Sequence, residues 1–210
     1  MFTTEFRDMI KDKIDNQELN YLGCGIAREV YSLDENYVVK IETGYEMCGH
    51  SKRKTIESLL EQIENDYIMD EEFLDFTYVF DLPYNLETIE LFLSTQGIEQ
   101  SLNEFIGWEK IKCNELLKSY VAEVFDIFIH NDKVIIIQEK GTVITSRHLN
   151  YDVTEEALKN FNLIELRSAM QKISSDFGRE GMNINDVHLG NFIISKEGKL
   201  KLCDLGYNYF

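Results

Sequence analysis

Apolar positions along the chain change their period several times, and each change marks an element. Phe6, Met9, Ile10 and Ile14 recur at helical spacing, which predicts a short amphipathic helix over residues 4–15. Next come Leu19 to Leu22, Glu29 to Leu33 and Tyr37 to Ile41, three short runs broken by Gly23-Cys24-Gly25 and Asp34-Glu35-Asn36, the pattern of a β-meander. Helical spacing returns at Lys54–Tyr67, at Leu86–Leu93, and from Ser101 through Phe105, Trp108, Ile111 and Leu116. Val121–Ile129 and Lys133–Glu139 flank His130-Asn131-Asp132 as a hairpin, and a helical region is expected over residues 154–177. The last pattern is Phe192–Ser195 and Lys199–Cys203 around Lys196-Glu197-Gly198, a second hairpin. Strands first, then a long helix, two strands, helices and a small hairpin give an α+β class.

Composition narrows the function classes. The chain has 210 residues, 44% of them hydrophobic and 12% aromatic, enough for one domain or two small lobes. A net charge of −17 leaves no basic face for nucleic acid or an anionic membrane. The opening residues lack an apolar signal region, and no apolar run reaches the roughly 18 residues of a spanning helix, so a soluble cytoplasmic protein is expected. Cys24, Cys48, Cys113 and Cys203 show no paired spacing and read as reduced thiols. Cys48 with His50 is too sparse a set to define a metal site.

The chemistry-bearing residues cluster near the end. Asp186, His188 and Asn191 precede the second hairpin, and Asp204 follows it. A hairpin brings its ends together, so Asn191 and Asp204 are expected side by side with Asp186 on the loop before them. Two carboxylates and an amide oxygen suit Mg²⁺, which prefers hard oxygens and shares its shell with phosphates. Upstream, Gly23 and Gly25 form the start of a G-x-G-x-x-G phosphate loop whose third glycine is replaced by Arg28. Lys40 ends a Tyr-Val-Val-Lys strand, where a half-buried ammonium needs an anion. Glu104 is the candidate partner, with Glu109 as the fallback. Ser101-x-x-Glu104 also reads as a helix capping box, and that alternative stays open. Asp176-Phe177-Gly178 spells a metal-loop tripeptide, but helical spacing runs straight into it, so Asp204 is taken as the metal-loop acid instead.

In this order and spacing the residues resemble the protein-kinase-like superfamily, in its compact bacterial and bacteriophage form. The resemblance implies a two-lobe kinase-like fold with a truncated C-lobe, because only four residues follow Gly206. Residues 1–141 would form the N-lobe, including an insert at 44–98, and residues 142–210 the abbreviated helical C-lobe. It implies ATP with Mg²⁺, a hydroxyl-directed phosphotransferase, and a protein as acceptor or partner in a cytoplasm, the host's if the chain is phage-encoded. Residue by residue, Asp186 would be the catalytic base, with Lys40 and His188 beside the phosphates. Gly23, Gly25, Val30, Lys40, Glu104, Glu139 and Gly141 would bind nucleotide, and Asn191 and Asp204 would hold the metal. The missing third glycine and short C-lobe keep a regulatory, nucleotide-binding pseudokinase open. An antibiotic-type small-molecule kinase is the third reading, against which Ile184 counts, since that family carries His there.

Overall fold

The computed structural model describes residues 2–25, 27–43, 71–94, 97–145 and 153–205. The expected helix at Lys54–Tyr67, Cys48, His50 and Gly206 lie outside the described residues. The described chain is mixed α+β: a five-stranded antiparallel sheet, a three-stranded antiparallel sheet, and helices packed on both.

Helix α1 (Thr4–Asp15) starts at Thr3, whose hydroxyl accepts the Phe6 N–H, and leads into β1 (Asn20–Cys24), β2 (Arg28–Ser32) and β3 (Tyr37–Glu42). Helices α2 (Glu71–Phe80), α3 (Leu86–Ser94) and α4 (Ile98–Ile111) follow, then the short α5 (Glu115–Lys118). Strands β4 (Val124–His130) and β5 (Lys133–Glu139) complete the first sheet in the order β1-β2-β3-β5-β4. The chain then crosses into β6 (Thr142–Val143), α6 (Glu155–Asn160), α7 (Leu163–Arg179), and the hairpin β7 (Phe192–Ile194) and β8 (Leu200–Leu202).

Alternation along the strands sorts the first sheet's faces. Val39, Ile41, Ile135, Ile137 and Phe128 point to one face, where Ile10 of α1 is fully buried among them. Arg28, Val30, Lys40, Glu42, Ile136 and Gln138 share the other face, as their cross-strand pairings require. That face meets α4. Sheet and helices share one hydrophobic cluster, in which Phe73, Phe76, Ile89 and Phe92 of α2 and α3 join Trp108, Ile136, Phe177, Phe192 and Leu202. The described part of the expected insert is therefore built into the core.

Several boundaries differ from the sequence expectation. Helix α4 begins at Ile98, after Gly97 in the left-handed region at φ 70°, so Ser101 and Glu104 lie inside it and form no capping box. A Cβ at Gly97 would stand 2.9 Å from the Ala27 Cβ, so close packing on the β1–β2 connection also demands glycine. A capping box does exist at α7, between Asn162 and Glu165, and it splits the expected 154–177 helix into two. Val121 leaves the first sheet to bridge Leu202 of the second. The third strand of the second sheet, β6, is too short to show a period. No helix among the described residues is long and apolar enough to cross a membrane.

Candidate functional site

Lys40 sits mid-strand on β3, one of the best-paired strands of the sheet, so its side chain is committed to the α4 face. There its Nζ lies 2.6 Å from Oε1 of Glu104 and donates at 2.5 Å to the Cys203 carbonyl, which follows β8. Glu104 is fully buried, and Lys40 is 7% exposed. Gln138 of β5 donates to the same Glu104 oxygen at 2.8 Å. Lys40 and Glu104, expected as partners, are partners. Glu109 instead pairs with Lys112 on the exposed side of α4.

The other Glu104 oxygen is taken by Arg28, the residue at the third-glycine position. Its second guanidinium nitrogen lies 2.9 Å from Oδ1 of Asp204, and Gln100 donates to Oδ2 of Asp204 at 3.1 Å. Gln100 and Glu104 lie one turn apart and so share a face of α4. The result is a four-charge chain, Lys40–Glu104–Arg28–Asp204, contributed by β3, α4, β2 and the segment after β8. Arg28 is only 4% exposed. Burial alone disfavours its charge, but the facing Glu104 and Asp204 carboxylates outweigh that cost and raise its pKa above the ordinary value. Burial likewise pushes the neighbouring Cys203 thiol up to about 12, although Lys40 pulls the other way.

The loop before β7 forms a separate cluster. The Asn191 amide donates to the Asp186 carbonyl at 2.9 Å and to its carboxylate at 3.0 Å. His188 accepts the Gly190 N–H on Nδ1 at 3.1 Å, which leaves the proton of the neutral ring on Nε2, 3.4 Å from Asp186. His188 thereby caps the short 3₁₀ turn Leu189–Asn191 and steadies Asp186, whose side chain remains 46% exposed. The hairpin does bring its ends together, since Cys203 N–H donates to the Asn191 carbonyl at 2.8 Å. The side chains nevertheless divide: Asn191 turns to Asp186, while Asp204 turns to Arg28 and Gln100.

The remaining predicted residues fall around this centre. Gly23 and Gly25 bracket the end of β1, and Gly25 N–H closes a tight turn on the Arg28 carbonyl at 2.8 Å. A Cβ at Gly23 would meet nothing within 4 Å, so its packing in the fold does not demand glycine there. Val30 pairs directly with Lys40 across the strands and shares its face. Glu139 holds Lys201 through both carboxylate oxygens, at 2.6 and 2.8 Å, and its N–H donates to Glu123. Gly141 is where the chain crosses between sheets; a Cβ there would lie 2.6 Å from the Ile194 carbonyl. Asp176 is remote in role, bound within α7 by Lys172 and Arg179 and by Tyr120.

Arg28 and Gln100 carry no assigned role in the sequence reading. The signal for Arg28 was present, a charged residue where a glycine pattern broke, but its anions are 76 and 176 residues away. Magnesium, which the resemblance implies, prefers open carboxylate oxygens. At Asp204 one oxygen faces a guanidinium and the other an amide N–H, while the side chain keeps 23% exposure. The described residues include no group of three His, Cys, Asp or Glu side chains able to hold a metal. As placed, Asn191 turns to Asp186 and Asp204 to Arg28, so the expected ligands do not form one divalent-ion set.

No protein-family profile matches the chain, and no curated protein does either. Solved structures of WbdD are similar. A co-crystal structure of WbdD with the kinase inhibitor LY294002 aligns at 14% identity and a TM-score of 0.46, over 89% of this chain and 32% of that one. A 2.2 Å WbdD structure aligns at 13% identity and 0.46, over 90% and 32%. A further structure, of the bifunctional kinase-methyltransferase WbdD, gives 13% and 0.45, over 87% and 30%. The chain spans about a third of the length of these proteins.

Proposed function

We infer that the protein binds ATP beneath the Gly23–Gly25 turn and transfers its γ-phosphoryl group to a hydroxyl, with a protein as the acceptor. The observation that carries this reading is the buried Lys40–Glu104 pair, tied to the segment after β8 through the Cys203 carbonyl. Buried ion pairs are poor stabilisers, because desolvation offsets most of their attraction. Two buried cations beside an unobstructed glycine turn instead suit the placement of phosphate oxygens. Glu104 and Gln138 orient Lys40, so its ammonium is fixed before a ligand arrives.

Asp186 is the base of this scheme. Its exposed carboxylate is held by Asn191 and faced by His188, so it is steady yet reachable. The acceptor hydroxyl gives its proton to Asp186 as its oxygen bonds to the γ-phosphorus. The bond from that phosphorus to the β–γ bridging oxygen breaks, and ADP leaves. Lys40 offsets charge on the phosphates, and positioning supplies most of the rate. Val30, across from Lys40, offers an apolar surface for the base, and Glu139 to Gly141 lies at the strand end where its edge would reach.

One observation favours a second reading, a nucleotide-binding pseudokinase with a regulatory role: Arg28 occupies Asp204. Calorimetric titration with ATP, run beside a transfer assay with γ-labelled ATP and candidate protein acceptors, separates the two. Binding with transfer supports the phosphotransferase, binding without transfer supports the pseudokinase, and absence of binding removes both.

A further inference from the structure

We propose that Arg28 is a resident cation at Asp204 that makes nucleotide binding independent of divalent metal. This inference rests on the nucleotide reading above and sharpens it. The third position of a glycine phosphate loop normally needs no side chain, yet here the backbone turn closes on the Arg28 carbonyl and sends its side chain inward along β2. The guanidinium then spans two acids that come from different parts of the fold, Glu104 on α4 and Asp204 after β8.

Charge arithmetic gives the inference its force. Lys40 and Arg28 bring two positive charges, and Glu104 and Asp204 two negative, so the buried set is neutral. Without Arg28 it would carry a net negative charge, and a polyphosphate would require an added cation to approach. With Arg28 present, that requirement is met by the chain itself. A divalent ion at Asp204 would meet the repulsion of, or have to displace, a guanidinium that is 4% exposed and bonded to a second, fully buried acid. Breaking such a pair strands a buried charge, which is costly. Gln100 donates to the other Asp204 oxygen, so each carboxylate oxygen already accepts a hydrogen bond from this chain.

The test is ATP titration into the full chain, once with Mg²⁺ and once with EDTA. The expected dissociation constants agree within about fivefold. A loss of about fivefold or more in EDTA overturns the proposal and identifies Arg28 as a contact that metal-bound nucleotide displaces. Absence of binding in both buffers instead overturns the nucleotide reading, and this inference with it. Arg28→Ala should bind roughly tenfold more weakly in EDTA than in Mg²⁺, with Arg28→Lys keeping the metal-independent behaviour. An Arg28→Ala protein that is folded by circular dichroism and binds as tightly in EDTA as in Mg²⁺ contradicts the proposal. Should Arg28→Ala fail to fold, the wild-type comparison and Arg28→Lys still decide it.

Discussion

Two acid-centred clusters in this molecule use similar ingredients and teach opposite lessons. Around Asp176, Lys172 and Arg179 lie within one turn of the same helix, and both cations are mostly in water, 63% and 76% exposed. Around Glu104 and Asp204, the cations Lys40 and Arg28 come from β-strands far away in sequence and are almost fully buried. The first cluster is what a helix end makes of nearby charges, cheap to form and screened by solvent. The second must be assembled by the whole fold and carries a desolvation cost that stability alone does not repay. Asp176-Phe177-Gly178 and Asp204-Leu205-Gly206 both read Asp-x-Gly, and the letters alone do not distinguish them.

Glu104→Ala should break the contrast most violently. It leaves Lys40 and Arg28 buried without their shared acid, and urea denaturation should show a loss of about 3–5 kcal/mol. Asp204→Ala compared with Asp176→Ala comes next. Calorimetry should record a rise in ATP affinity of about threefold or more for Asp204→Ala, which frees one side of the Arg28 charge, and no change for Asp176→Ala. Equal changes would erase the distinction between the clusters.

A pH series sharpens the Asp176 side. Its Lys172 and Tyr120 hydrogen bonds, with the nearby Arg179 charge, hold its carboxyl below the ordinary value of 3.8 in the folded chain. The stability this supplies is complete above the unfolded-chain value and fades as pH falls through the folded one. Thermal unfolding between pH 6 and pH 3, about the ordinary carboxylate range, should show Asp176→Asn converging on wild type at the acid end. A gap that widened on acidification would reverse the assignment. The smallest effect is chemical. With its thiol near 12, Cys203 should resist alkylation at pH 8, roughly an ordinary thiol's midpoint, while exposed Cys113 reacts. Mass spectrometry of iodoacetamide-treated protein reads this directly, and equal labelling would contradict the raised Cys203 thiol.

How much of this was legible in the sequence depends on the range of the interaction. The β-meander, both hairpins and the Lys40–Glu104 partnership were readable, because strand alternation and a lysine in an apolar strand are local signals with a physical demand attached. The alternative capping box at Ser101 fails because Gly97, tolerating φ 70° against Ala27, lets α4 begin earlier. Arg28 was seen only as a defect in a glycine pattern. Its meaning depends on Asp204, and no local rule connects positions that only the two sheets bring together. Asn191 was expected beside Asp204 but pairs with Asp186, and Asp204 answers to a residue at the other end of the chain.

The central claim is that phosphates lie beside Lys40. It is tested most directly with an acyl phosphate of ATP, a mixed anhydride that acylates a lysine amine next to the bound phosphate chain. Peptide mapping should find the acyl group on Lys40, with labelling suppressed by excess ATP. Label spread over surface lysines such as Lys112 and Lys159, and indifferent to ATP, would contradict the account.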